Sequence, residues 1–285
     1  MTSVAGALSA ARVAAYRLTT SADLTCTGPG SLDLSDYSSM KHGDVGAARR
    51  LAAPVARALV EQAPAVVTDP AEPVLPVAYK AVRPACWFLA RAVLAHLDAA
   101  RAAAGLGPGR LVRVAKDAVT VTDYATASAA DRAAELEGIG FRLEDDLDGA
   151  QVVVVDDVRV TGSSEATILA ALAGARPSAV ALAYVAVVEG ELARDPAVEA
   201  RLNRHTVRAC ADMAGAVRRG DFVLTIRFLK QLLQTSPTDR EAFLDVCPGE
   251  LVQEIVDGVV ATGDEFRARH AEAFAHVVDR TGTTR

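Results

Sequence analysis

A chain of 285 residues that is 51% hydrophobic can bury a substantial core, which excludes extensive disorder. Its formal net charge of -6, without any lysine- or arginine-dense stripe, argues against bulk binding to nucleic acid. No apolar run approaches the roughly 20 residues that span a bilayer, and the opening MTSVAGALSAARVAAYRL lacks the basic-then-apolar order of a secretory signal, so a soluble cytoplasmic protein with no membrane partner is expected.

Taken in chain order, residues 1–68 read as a helical N-terminal segment with a polar interruption at TCTGPGSLDLSDYSSMKHGD. Residues 69–190 alternate short aliphatic runs with amphipathic stretches. PVLPVAY reads as a strand, RPACWFLARAVLAHLDAARAAAG as a helix stopped by Gly105, and GRLVRVAK as a second strand. ASAADRAAELEGIG is a helical stretch, AQVVVVDDV a strand, SSEATILAALAGAR a helix and SAVALAYVAVVEG a last strand. Strands apolar on both faces and separated by helices build a parallel sheet with right-handed crossovers, so the fold class is a doubly wound α/β core. Residues 191–285 look mostly helical and form a C-terminal accessory region. Cys26, Cys86, Cys210 and Cys247 lie far apart without a CxxC pair, and suggest neither a zinc site nor a disulfide framework.

The most informative stretch is VVVVDDVRVTGSSEAT, in which four valines run into Asp156 and Asp157. Ligands collect at the carboxyl ends of strands in an open α/β sheet, and this strand delivers both acids there. Adjacent carboxylates are tolerable if each accepts from a different hydroxyl and a hydrated Mg2+ offsets their repulsion. The following TGSS offers a phosphate small residues, hydroxyls from Thr161, Ser163 and Ser164, and amides at a helix start. One loop thus offers diol acceptors and a monophosphate cradle, the two ends of a sugar phosphate. A valine strand ending in acids and a serine N-cap also occurs in other α/β phosphate-binding domains, such as receivers or nucleotidases.

VVVVDDVRVTGSS resembles the 5-phosphoribosyl-1-pyrophosphate (PRPP) binding motif of type I phosphoribosyltransferases. It departs at Arg159, where that family usually has an aliphatic residue. The resemblance implies that Asp156 and Asp157 contact the ribose 2- and 3-hydroxyls, directly or through Mg2+-bound water. Val158 and Arg159 then lead into residues 160–164 (Val160, Thr161, Gly162, Ser163 and Ser164), which wrap the 5-phosphate. It implies a pyrophosphate loop at PVAYKAVRP, with Tyr79 and a catalytic Lys80, although Lys80 also reads as a solvated surface residue. It implies a catalytic loop in KDAVTVTDYATASAADR, where Lys116 and Arg132 reach the pyrophosphate and Tyr124 the acceptor; the same stretch also reads as an ordinary hairpin.

A hood over the acceptor is implied for SDYSSMKHGDVGAARRLA, which is similar to the N-terminal segment of orotate phosphoribosyltransferases and offers Tyr37, Lys41, His42 and Asp44; SDYSS also reads as turn chemistry. Val160 stands where 6-oxopurine salvage enzymes carry an aspartate that handles a purine proton, which disfavours hypoxanthine or guanine as acceptor. Transfer of phosphoribosyl from PRPP to a small-molecule acceptor, assisted by Mg2+ and carried out by a homodimer, is the implied activity. A regulator of the same fold that senses PRPP without turnover is the alternative.

Overall fold

The computed structural model describes residues 10–25, 30–118, 141–172, 174–195 and 197–282. Among the described residues six strands form one sheet: β1 Ala10–Leu18, β2 Pro73–Tyr79, β3 Arg110–Lys116, β4 Phe141–Leu143, β5 Gln151–Arg159 and β6 Ala179–Val188. Their order is β1-β6-β5-β2-β3-β4. Every pairing is parallel except that of β4, which runs antiparallel to β3 at the edge. The expected α/β class is therefore the observed one.

The helices among the described residues are α1 Leu34–Lys41, α2 Val45–Gln62, α3 Ala65–Thr68, α4 Ala85–Ala103, α5 Ser163–Leu172 and α6 Val198–Asn203. They continue with α7 Ala214–Arg219, α8 Ile226–Gln234, α9 Pro237–Leu244, α10 Gly249–Thr262, α11 Asp264–Arg269 and α12 Ala271–Thr281. The stretch from Ala10 to Leu18 corrects the helical reading of the N-terminus. Its alanines favour a helix in isolation, yet it pairs along its length with β6, Val13 opposite Ala183 and Leu18 opposite Val188, with Val13 and Leu18 both buried. The neighbouring strand decides, because the ladder supplies backbone partners and burial together.

The period of two along β5 sorts its side chains between two cores. Val153 and Val155 join a cluster with Tyr37, Met40, Leu59, Leu89 and Val93 from α1, α2 and α4. Val152 joins Leu172, Leu182 and Tyr184 in the cluster under α5. A third cluster, with Phe228, Phe243, Ile255 and Val277, holds the C-terminal helices together and includes Val82 from the loop after β2.

The C-terminal helices join the core through backbone as well as side chains. Val45 N donates to Asp221 O at 2.8 Å, Val223 N to Gly43 O at 2.9 Å, and Ile226 N to Arg83 O at 3.1 Å. Gly43 makes this approach possible: its φ is +109°, and a Cβ there would lie 2.2 Å from Val223 O. Gly43→Ala is expected to cost about 3 kcal/mol, through overlap with backbone that cannot yield and a left-handed φ. A urea melt should show the midpoint fall; an unchanged midpoint would contradict the close approach.

Candidate active site

Asp156 and Asp157 leave β5 on opposite faces, and a different environment meets each carboxyl. Asp157 points to the α1 side, where residues four apart on α1 share a face. Lys41 Nζ donates to Asp157 Oδ2, and Tyr37 OH donates to Asp157 Oδ1 at 3.2 Å. Both acid and ammonium are buried, as is Tyr37 at 0% exposure. Burial alone would raise the pKa of Asp157, but the charge and hydrogen bond of Lys41 outweigh it and hold the carboxyl below its usual range. Asp156 lies opposite Tyr184 in the β5–β6 register and accepts from Asp157 N at 2.9 Å. Desolvation first, and the charge of Asp157 second, raise its pKa to about 7.

The chain then turns at Gly162, whose φ of +80° is in the left-handed region, and α5 begins at Ser163 with Ala166 N donating to Gly162 O. The phosphate-type turn therefore opens a helix, as expected. A cavity of about 300 Å³ runs from this turn to the two acids. Its lining includes Lys41, Lys116, the whole run from Val154 to Gly162, Ser164, Glu165, Tyr184, Glu199 and Arg227.

Three acids in the lining sit against bases. Asp157 meets Lys41, and Glu165 Oε2 accepts from Arg159 Nε at 2.8 Å. Glu199 lies 4.0 Å from Arg227. Lys116 stacks its ammonium 5.0 Å from the Phe141 ring centroid; burial lowers its pKa, partly offset by the influence of Cys86 and then Asp156. Glu165 is held by more than one partner: Arg12 donates twice to Oε1, at 2.9 and 2.7 Å, and Tyr184 OH donates to Oε2 at 2.9 Å. Burial opposes its ionisation, but these hydrogen bonds hold its pKa down to about 2.

The residues singled out in the sequence fall into distinct places. Asp156, Asp157, Val158, Arg159, Val160, Thr161, Gly162, Ser164, Lys116 and Lys41 meet in the cavity, with Tyr37 directly behind Asp157 and Ser163 at the helix start. Tyr79 and Lys80 are not in its lining. The Tyr79 ring lies under the Arg113 guanidinium, which also donates to Lys80 O, and Lys80 Nζ approaches Gly263 beyond the end of α10. β2 thus ends in a turn pinned to β3, and that turn carries Lys80 toward the C-terminal helices. Asp44 caps α2 through Ala47 N at 2.9 Å and takes a hydrogen bond from Arg219 at 3.0 Å, outside the cavity lining. Tyr124 and Arg132 lie outside the described residues.

Sequence reasoning missed Arg227, Glu199, Glu165, Tyr184 and Cys86 in the lining. Arg227 arrives on α8, which buries Phe228, Leu229, Leu232 and Leu233 and starts at a Thr225 cap accepting from Phe228 N at 3.2 Å. No motif marks it.

His42, just past α1, is buried, with Nδ1 2.8 Å from Ser38 O. Burial lowers its pKa to about 4, from a usual value near 6.5. Because the unfolded chain takes up the proton first, this residue is expected to remove up to about 3 kcal/mol of stability as pH falls from about 6.5 to about 4. Thermal melts of wild type and His42→Asn at pH 7 and pH 4.5 should differ in slope across that window. Equal slopes would contradict the assignment.

The PRTase ComF-like family model matches residues 28–273. Among solved structures the chain is similar to a hypoxanthine phosphoribosyltransferase from Staphylococcus aureus, with 10% identity and a TM-score of 0.33 over 50% of this chain and 75% of that one. It is similar to the hypoxanthine-guanine phosphoribosyltransferase of L. donovani, with 12% identity and a TM-score of 0.32 over 54% and 76%. The hypoxanthine phosphoribosyltransferase from Trypanosoma cruzi in complex with the product IMP gives 12% identity and a TM-score of 0.33 over 52% and 79%. A comparison with curated proteins returns no match.

Proposed function

The chain belongs to the PRTase ComF-like family, and from that premise we propose that it transfers the 5-phosphoribosyl group of PRPP to a small-molecule acceptor and releases pyrophosphate. The observation that carries this reading is one cavity lined both by the acids at the end of β5 and by the turn that opens α5. A pentose carrying a 5-phosphate has its diol and its phosphate at opposite ends, which is the spacing of functions this cavity offers.

Each group then has a role. The turn from Val160 to Ser164 takes the 5-phosphate with backbone amides and hydroxyls at a positive helix end. Asp156 accepts from a ribose hydroxyl. Asp157 is already engaged by Lys41 and Tyr37 and orients that end of the cavity. Lys116, rather than Lys80, supplies the cation at the leaving group, because it is the lysine of the implied catalytic loop that reaches the lining. Negative charge grows on pyrophosphate as C1 becomes cationic, so fixed positive charge there favours the transition state. Arg227 and Lys41 flank the acceptor side.

Mg2+ fits this donor set. Among the described residues no group of three or more His, Cys, Asp or Glu side chains comes together, so a divalent ion would be held by Asp156 and, through water, Asp157, with substrate oxygens completing its shell. Such an ion supplies charge neutralisation at the diphosphate. The lining needs that supply: Lys41, Arg159 and Arg227 each already sit against an acid, and the donor adds several negative charges.

No helix among the described residues is long and apolar enough to cross a membrane. Incubation with PRPP, Mg2+ and a panel of bases, aromatic acids and amines should release pyrophosphate with at least one acceptor. Tight PRPP binding with no release from any would favour a PRPP sensor instead.

A further inference from the structure

Arg159 occupies the turn in a manner that an aliphatic residue would not. Its guanidinium lies over Gly162, within 2.9 Å of where a Cβ on that glycine would stand, while its Nε is 2.8 Å from Glu165 Oε2. It lines the same cavity as Thr161 and Ser164 and is half-buried. A guanidinium has five donors in a planar fork, so one bond to Glu165 leaves most of that capacity for an anion arriving at the turn. Glu165, in turn, does not depend on Arg159. Arg12 gives it two hydrogen bonds from β1 and Tyr184 a third from β6, so its carboxylate stays paired and ionised if Arg159 moves away.

We propose that Arg159 is a specificity-determining residue for the phosphate at this turn, and that Glu165, held in place by Arg12 and Tyr184, is the counter-ion it leaves when a phosphate dianion arrives. The inference rests on the phosphoribosyl reading above and adds a cationic side chain to a turn that otherwise offers amides and hydroxyls. Bidentate arginine–phosphate pairing rewards a fully ionised phosphate, whose second proton leaves near pH 6.

Calorimetric titration of ribose 5-phosphate and, separately, of pyrophosphate tests it, with wild type, Arg159→Leu, Arg159→Lys and Glu165→Gln in Mg2+ buffer. Arg159→Leu is expected to weaken ribose 5-phosphate about tenfold to a hundredfold and to leave pyrophosphate within about twofold. Arg159→Lys should recover part of the loss. Wild-type affinity for ribose 5-phosphate should rise between pH 5 and 7, with a smaller rise in Arg159→Leu. Glu165→Gln removes the competing carboxylate and should tighten ribose 5-phosphate a few-fold, a sign opposite to that of a purely structural residue. Unchanged ribose 5-phosphate binding in Arg159→Leu, an equal loss for both ligands, or weaker binding in Glu165→Gln would overturn the proposal. Wild type that binds neither ribose 5-phosphate nor PRPP would overturn the phosphoribosyl reading itself.

Discussion

Asp157→Asn is expected to lower stability by about 3–5 kcal/mol, because it strands the Lys41 ammonium in a buried site without its counter-ion. The effect is larger than that of a typical surface ion pair, which is worth at most about 1 kcal/mol. Lys41→Met in the same background should restore much of the loss, since a neutral pair of similar volume has no uncompensated charge. Urea midpoints for the two single variants and the double variant close the cycle. Simple additivity would mean that the pair contributes nothing. Pyrophosphate release is expected to collapse in Asp157→Asn, since the carboxylate also aligns Tyr37 beside the cavity; near-wild-type release would refute its part in the site.

Asp156→Asn has the opposite profile: a fold left intact and a ligand lost. Its carboxyl is raised to about 7 by burial and by Asp157. A carboxyl whose pKa is raised on folding contributes stability that is fully present below its unfolded value near 3.9 and is lost as pH rises through about 7. The asparagine is neutral throughout and escapes that loss, so at pH 8 the variant should melt at or above wild type. PRPP affinity in Mg2+ should fall by about a hundredfold, the worth of a charged acceptor for a ribose hydroxyl together with its share of the cation. A variant that is less stable at pH 8 than wild type, or that binds PRPP normally, would remove Asp156 from the role given to it.

The core was legible because its signals are local. β2, β5 and β6 each carry an aliphatic run, β3 sets its aliphatics between Arg110, Arg113 and Lys116, α4 follows Pro84 and stops before Gly105, and α5 opens at Ser163 and stops before Gly174. The turn at Gly162 was legible for the same reason: its chemistry is written in consecutive residues. β1 was not, because an alanine-rich stretch carries a helical preference that only the edge of β6 overrides. β4 is three residues long and gives no periodic signal.

The site divides in the same way. The two acids could be read from the strand, but their partners could not. Lys41 meets Asp157 across 116 positions of sequence and Arg12 meets Glu165 across 153. Arg227 reaches the cavity only because α8 buries its other side against Phe243 and its neighbours. Lys80 shows the converse: its position in the sequence suggested the cavity, and the turn after β2, tied down by Arg113, sends it elsewhere.

Calorimetric titration of PRPP with Mg2+ into wild type and Asp156→Asn, with ribose 5-phosphate as competitor, puts the single-cavity account at risk most directly. One PRPP per chain is expected in wild type, displaced by ribose 5-phosphate and weakened about a hundredfold in the variant. PRPP binding that ribose 5-phosphate does not displace, or that survives in Asp156→Asn, would mean that the end of β5 and the turn before α5 do not hold one phosphorylated pentose between them.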